Sequence, residues 1–397
     1  SLARDWGTVK PAAIRLNYGM QRVHGGGNAA RAVACLPALT GAWRHRAGGL
    51  LLGASGAFPV DRAALQRPDL LAGRTPRTIN MSRIGDELSR PSAGPKIEAL
   101  VVYNSNPVAV APESGKVVAG FSRDDLFTVV LEHFRTDTAD YADYILPATT
   151  QLEHWDIHAA YGHTDALLNR PAIAPLGEAR PNTQVFRELA RRMGFVEPCF
   201  EEDDASLCVT AYGNKVDFGE LLEKGFSTLH IPDAPFADGA FPSPSGKCEF
   251  FSERLAKMGQ DGLPDHVGNY EAPGSSDRYP LAMISPPHRN FLNSSFVNVE
   301  SLRESEGEPV LEMNAADASP RGIASGDVVR VYNDRGEYLC KASVGDRARA
   351  GVVNGLGVWW RKFGLAGTNV NQLTSQKLTD IGRAPVFYDC LVEVAKA

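Results

Sequence analysis

No long apolar run occurs in this chain: nothing in its 397 residues approaches the ~20 consecutive apolar positions of a bilayer-spanning helix. Dense Lys/Arg blocks are absent too. The 41 basic and 47 acidic residues are interspersed and leave a net charge of −6, which argues against nucleic acid as a partner. Cysteine is scarce. The six present (Cys35, Cys199, Cys208, Cys248, Cys340 and Cys390) never form a Cys-x-x-Cys pair, so there is no zinc or iron–sulfur signature. Hydrophobic residues at 43% and charged residues at 22% are the proportions of a folded globular protein. The length exceeds one ordinary core and predicts two or three domains. No targeting segment precedes the first predicted strand at 12–16, and so abrupt an edge suggests that Ser1 is not the start of the gene product.

What is present is organised around residues 97–150. Apolar runs at 97–103 and 126–131 each stop at a polar loop, Asn104-Ser105-Asn106-Pro107 and Glu132-His133-Phe134-Arg135-Thr136. Between them, Val117, Val118 and Phe121 have helical spacing. The unit therefore reads strand, crossover helix, strand, a parallel pair with both loops at one sheet edge. Ligands of open parallel sheets sit beyond the carboxyl ends of the strands, so these loops are the first candidate site. Taken alone, Asn104 and Asn106 need do no more than build the turn before Pro107. A short helical turn and a third apolar strand follow within 136–148.

In chain order, residues 1–57 read as helix, strand, glycine loop and helix. Gly25-Gly26-Gly27 precedes Asn28, a candidate N-cap for a helix ended by Gly41. A glycine turn at a helix start can hold phosphate, but this one matches no nucleotide-loop fingerprint, which favours a structural turn. Residues 58–95, rich in Pro, Arg and Gly, read as a surface excursion with one short helix at 82–88. His154, His158 and His163 lie in a loop-like stretch without a shared face, and read as loop histidines rather than a metal site. Pro181 and Asn182 open a helix with Val185, Leu189 and Met193 on one apolar stripe, stopped by Gly194. Weaker helices are expected near 204–212 and 217–223. The Pro/Gly shift at 259–276 marks a domain boundary. Beyond it, short strand candidates at 279–284, 310–313, 328–332, 338–344, 352–353 and 391–394 predict a closed barrel, with a tight hairpin at Asn333-Asp334-Arg335-Gly336 whose glycine takes the left-handed position. The loop Ser285-Pro286-Pro287-His288-Arg289-Asn290-Phe291-Leu292-Asn293-Ser294-Ser295 is dense in donors. Trp359-Trp360 reads as core filling.

Several of these motifs resemble those of the bacterial molybdopterin oxidoreductases, the dimethyl-sulfoxide-reductase family. They are Asn-x-Asn-Pro at 104–107, Thr-x-Thr-Ala-x-x-Ala-Asp-x-x-Leu-Pro at 136–147 with Glu153 after it, and the 285–295 loop. Asn369-Val370-Asn371-Gln372-Leu373-Thr374 and an early run through Lys10-Pro11-Ala12, Gln21-Arg22 and Leu36-Pro37-Ala38-Leu39-Thr40-Gly41 complete the set, in family order. The resemblance implies an α/β fold: an open, mostly parallel α/β sheet domain followed by a C-terminal six-stranded double-psi β-barrel. Residues 1–57 would end one α/β cofactor-binding domain, 58–258 form an α/β dinucleotide-binding domain, 259–277 a linker and 278–397 the barrel.

It also implies the C-terminal part of an enzyme that carries molybdenum on two molybdopterin guanine dinucleotides and performs oxo transfer or dehydrogenation on a small-molecule substrate. The implied cofactor contacts are Asn104, Asn106, Glu132, Thr136, His288, Arg289, Asn290, Ser294, Ser295 and Asn371. Glu132 stands where many members have Asp, and a carboxylate suits guanine because it accepts from both N1–H and the exocyclic amine. No metal ligand and no catalytic residue is assigned, because the resemblance places the molybdenum ligand, and the iron–sulfur cluster of many members, upstream of the matched span. An electron-transfer subunit is a further partner the resemblance allows, and the compartment it suggests is cytoplasmic, with periplasmic left open. The competing readings are a non-redox hydratase on the same cofactor and a cofactor-free scaffold subunit that keeps the fold.

Overall fold

The computed structural model describes residues 1–397, and none of its helices is long and apolar enough to cross a membrane. The first unit pairs β1 (Ala13–Arg15) in parallel with β2 (Gly49–Leu51), joined through the helix Gly26–Leu39. That helix begins three residues earlier than the sequence suggests, with Gly25 rather than Asn28 as its N-cap. Its first amides are already occupied: Gly27 and Asn28 donate their N–H groups to the Asp380 carboxylate at 2.9 and 3.0 Å. A negative charge at a helix start complements the dipole, and here a side chain from far along the chain fills the place where a phosphate would sit. The close approach also accounts for glycine, since a Cβ on Gly27 would lie 2.7 Å from Asp380 Oδ1.

The second unit holds the sheet β3 (Ala99–Tyr103), β4 (Phe127–Glu132) and β5 (Tyr144–Pro147), all parallel and in that order. The helix Ser114–Phe121 makes the crossover from β3 to β4. Val117 and Phe121, buried on its inner face, pack against Val102 and Val130 of the sheet and against Leu88. Each such side chain contributes about 1.5–3 kcal/mol by leaving water. A short helix, Pro107–Val110, follows the first polar loop, where the sequence alone implies only a turn.

The stretch read as a histidine-bearing loop is partly strand. β6 (Asp156–His158) pairs antiparallel with β7 (Asp165–Asn169), and β7 with β8 (Phe226–Thr228). Its histidines are spent singly, His154 Nδ1 on Thr149 Oγ1 at 2.9 Å and His163 Nδ1 on the Asp165 N–H at 3.1 Å. The helix Asn182–Arg192 is where the spacing puts it, but its stripe is not core: Leu189 and Met193 stay exposed, and Ala190 is its one buried residue.

The third unit is a closed barrel of β9 (Leu281–Ile284), β10 (Val310–Asn314), β11 (Val328–Asn333), β12 (Gly336–Gly345), β13 (Val352–Gly355) and β14 (Leu391–Lys396). Around the barrel the order is β10, β12, β11, β14, β9, β13, with β10–β12 and β13–β9 parallel and the other pairs antiparallel. Period-2 alternation sends Leu311, Met313, Val329, Val331, Val392 and Val394 into the interior. Asn333 pairs with Gly336 across the tight turn, but Gly336, at φ 157°, opens β12 in a near-extended conformation instead of taking a left-handed turn position. Glycine is needed there because a Cβ would come within 2.8 Å of Gln372 Cγ. The segment read as a linker packs between units: Glu271 holds Arg335 with two contacts, at 2.5 and 3.0 Å, and the Tyr270 ring stacks on His24 at 3.9 Å.

Candidate functional site

Three parallel strands end at one edge, and the barrel's 285–299 connection closes over it. Between them lies a cleft of about 410 Å³. The sheet side supplies Asn104, Asn106, Glu132, His133, Phe134 and Thr136, and the barrel side Ser294, Ser295, Phe296, Asn298, Val299 and Trp360. Six of the ten residues named as cofactor contacts therefore meet in one place: Asn104, Asn106, Glu132, Thr136, Ser294 and Ser295.

Asn106 organises the sheet side. Its side chain is 5% exposed, and Oδ1 accepts from the Thr138 N–H at 3.1 Å and from Thr138 Oγ1 at 2.8 Å. Thr138 Oγ1 in turn accepts from the Val108 N–H, and Thr136 Oγ1 from the Ala139 N–H. Asn106 Nδ2 is buried with no partner in the chain. A buried donor left unmade costs about 1–3 kcal/mol, so this atom calls for an acceptor from outside the chain. Asn104, at φ 52°, is held in the left-handed region that asparagine tolerates, and its Oδ1 accepts from Asn182 Nδ2 at 3.2 Å. Glu132 closes β4; Oε1 accepts the His133 N–H at 2.8 Å, while Oε2 takes none of the chain's own donors. Because His133 Nε2 lies 2.8 Å from the Thr149 carbonyl, that nitrogen carries the proton.

The two sides of the cleft are fastened together beneath it. Asp137, 3% exposed, accepts the Arg361 N–H at 2.5 Å and the Lys362 N–H at 3.3 Å. Burial holds its carboxyl above the ordinary aspartate value, opposed by those two amides. Lys362 Nζ donates to the carbonyls of Arg135 and Thr136 and pairs with Asp140. Ser114 Oγ donates to Gln372 Oε1 at 2.9 Å, and Arg361 Nη1 reaches both oxygens. Trp360 donates its Nε1–H to the Ser294 carbonyl at 2.7 Å, fixing the barrel loop.

The other four named residues are not brought into the cleft. His288 is buried: Trp359 Nε1–H donates to its Nε2 at 2.8 Å, so the ring proton lies on Nδ1 and is given to Glu306 at 2.9 Å. Asn290 spends its backbone N–H on Glu306 and its Nδ2 on Ser305. Arg289 is exposed and outside the lining. Asn371 is 3% exposed, donates Nδ2 to the Ala109 carbonyl at 3.0 Å and accepts from Thr374 Oγ1 at 3.1 Å; with Asn369, also bonded to Ala109, it ties the barrel to the sheet unit. Local donor density reads the same whether the partners are internal or foreign. Three liners named only by the structure, Phe296, Asn298 and Val299, carry no motif, and Trp360, read from the sequence as core filling, also lines the cleft; Phe296 is marked only by its position two residues past Ser294 and by φ 75°.

A carboxylate acceptor, an unpaired amide donor and the aromatic rings of Phe134, Phe296 and Trp360 together suit a flat heterocycle with both donors and acceptors on its edge. The cleft lining contains no Arg or Lys, so any phosphates would meet serine hydroxyls and backbone amides there.

The family model described as molybdopterin oxidoreductase matches residues 9–192, and the one described as molydopterin dinucleotide binding domain matches residues 281–391. The chain is 39% identical over 402 residues to the probable oxidoreductase YoaE of Bacillus subtilis, covering 100% of this chain and 58% of that protein. It is 29% identical over 336 residues to the dimethyl sulfoxide/trimethylamine N-oxide reductase of Rhodobacter capsulatus, covering 73% of this chain and 40% of that one. The chain thus spans about half the length of the curated relatives it matches. The acetylene hydratase of Pelobacter acetylenicus shares its fold, with a TM-score of 0.68 at 21% identity over 81% of this chain and 47% of that one. With one model on the sheet units and the other on the barrel, and the cleft between them, the chain belongs to the molybdopterin oxidoreductase family.

Proposed function

We propose that this chain is the C-terminal part of a molybdenum-dependent oxidoreductase, and that its cleft holds the guanine end of a molybdopterin guanine dinucleotide. The observation that carries the reading is that Asn106, with its buried Nδ2 unpartnered, and Glu132, with its Oε2 free of the chain's donors, line one cleft at the meeting of strand ends and barrel loop. Glu132 accepts from the base's N1–H and exocyclic amine, a donor pair that adenine lacks. Asn106 Nδ2 donates to a ring or carbonyl acceptor, and Asn104, steadied by Asn182, orients the loop. Phe134, Phe296 and Trp360 flank the base and exclude water. When bound, the cofactor supplies the metal whose two-electron chemistry serves oxo transfer or dehydrogenation of a small molecule. The chain's own residues bind and orient it.

The test uses the full-length protein, with molybdenum measured by mass spectrometry and guanosine monophosphate released by acid hydrolysis. Glu132→Gln keeps the shape but exchanges an acceptor for a donor, and should weaken binding by roughly 10- to 100-fold, the equivalent of a charge-assisted hydrogen bond of about 1.5–3 kcal/mol. Nucleotide content should fall with it. Unchanged content in the variant removes Glu132 from the site; metal and nucleotide without dye-linked redox turnover would favour a hydratase instead.

A further inference from the structure

Two thiols that the cleft does not use sit on neighbouring elements elsewhere. Cys35 lies in the helix Gly26–Leu39, and Cys248 in the long connection between β8 and the helix Glu253–Lys257, which has no helix or strand of its own. Every hydrogen bond of residues 230–251 stays inside that segment, such as Phe241 N–H to the Gly246 carbonyl and Ser243 Oγ to the Lys247 carbonyl. Its one ion pair to the rest, Asp233 with Arg46 at 3.5 Å, is solvent-exposed and weak. Aromatic contacts hold it instead: Trp43 meets Phe236 at 5.2 Å and Phe241 at 6.4 Å, and those two phenylalanines stack at 4.9 Å.

The cavity of about 400 Å³ beside this cluster is lined by both Cys248 and Ala38. Ala38 shares a helix face with Cys35, three residues before it. Both thiols are partly exposed and unbridged, whereas Cys208, Cys340 and Cys390 are buried and Cys199 lines a different cavity. Burial raises the pKa of each thiol of the pair, and the proximity of Cys248 raises that of Cys35 further.

We propose that Cys35 and Cys248 form an oxidisable pair, closed to a disulfide by peroxide, that staples residues 230–251 to the helix Gly26–Leu39. One thiolate attacks a peroxide oxygen, giving a sulfenic acid and releasing hydroxide, which takes up a proton to become water. The second thiol then attacks that sulfur, and the sulfenic oxygen leaves as a second water. Two thiols and one hydrogen peroxide become one disulfide and two waters. Because the thiolate is the reactive form, closure is slow at neutral pH and speeds up by about tenfold per pH unit below the thiol pKa.

The experiment oxidises the reduced full-length protein with hydrogen peroxide, alkylates it and digests it without reductant. The expected product is a peptide joining Cys35 to Cys248, lighter by two hydrogens than its separate halves. It is absent from Cys35→Ser and from Cys248→Ser, and retained in Cys199→Ser. Protease cleavage within 230–251 slows on oxidation of the wild type and is unchanged by peroxide in either variant of the pair. Recovery of both cysteines only as separate alkylated or over-oxidised peptides across the pH range, or a link to Cys199 in place of this one, overturns the proposal.

Discussion

Removing the Asp137 carboxylate should loosen the joint between sheet and barrel. In Asp137→Ala the part-buried N–H groups of Arg361 and Lys362, which the carboxylate meets at 2.5 and 3.3 Å, lose that acceptor. A hydrogen bond to a charged group contributes about 1.5–3 kcal/mol and the longer contact falls at or below the low end, so the pair amounts to roughly 3–4 kcal/mol. Relief of the buried charge returns part of this, for an expected net loss of about 2–3 kcal/mol. Urea unfolding followed by tryptophan fluorescence suits the test, since Trp359 and Trp360 are buried next to Arg361. With a slope of about 3 kcal/mol per molar, the midpoint should drop by roughly 0.7–1 M. Asp137→Asn keeps one acceptor and should fall between. The pH dependence has a definite sign. Burial holds the folded carboxyl above its ordinary value, so the stability contribution is present below the ordinary aspartate range and is lost as pH climbs through the folded value. The asparagine variant lacks that titration, so its deficit against wild type narrows across the window and then stays flat. A change under about 0.5 kcal/mol in Asp137→Ala, within the range of an ordinary surface substitution, would refute the idea that this carboxylate fastens the two units.

Glu271→Ala strands the largely buried Arg335 guanidinium and removes an acceptor from the Leu391 N–H, so the barrel transition should lose about 3–5 kcal/mol in urea titration; a loss below about 1 kcal/mol would mean that solvent replaces the pair freely. Gly336→Ala pushes a Cβ to 2.8 Å from Gln372, whose amide is engaged by Ser114 and Arg361, and should cost about 1–3 kcal/mol; an unchanged midpoint would show that Gln372 swings aside. Burial raises the thiols of Cys208, Cys340 and Cys390 to about 12, so at pH 8 roughly one in ten thousand is ionised. Iodoacetamide should therefore label Cys35, Cys199 and Cys248 in the reduced native protein and the other three after denaturation; comparable native labelling of Cys340 would contradict the packed barrel interior.

The parts of the fold legible in the sequence are those where one local pattern decides the outcome. Short apolar runs gave β3, β4 and all six barrel strands, most of them bounded by polar or Gly/Pro residues, and the crossover helix between β3 and β4 fixed their parallel sense. The β6–β7 hairpin was hidden because Asp156, His158 and Asn169 are poor strand formers, placed there by pairing rather than by propensity. The stripe of Val185, Leu189 and Met193 carries the helical period but not the burial, because periodicity reports a face and not what covers it. In the cleft, Asn104, Glu132 and Thr136 were readable since each follows an apolar run at the same sheet edge. His288, Asn290 and Asn371 are contacts that the resemblance implies, and the fold spends their polar groups internally, on Glu306, Ser305 and Ala109. Asn182 was read as a helix start, and only the folded chain brings its amide to Asn104.

The capping of Gly27 and Asn28 by Asp380 spans separations of 353 and 352 residues. During synthesis the early helix emerges long before the carboxylate that completes its first turn. Until Asp380 has left the ribosome, those amides face water, and the unit that holds them cannot reach its final stability by itself. A nascent chain arrested short of Asp380 therefore leaves the helix Gly26–Leu39 unfinished at its first turn as well as the barrel incomplete.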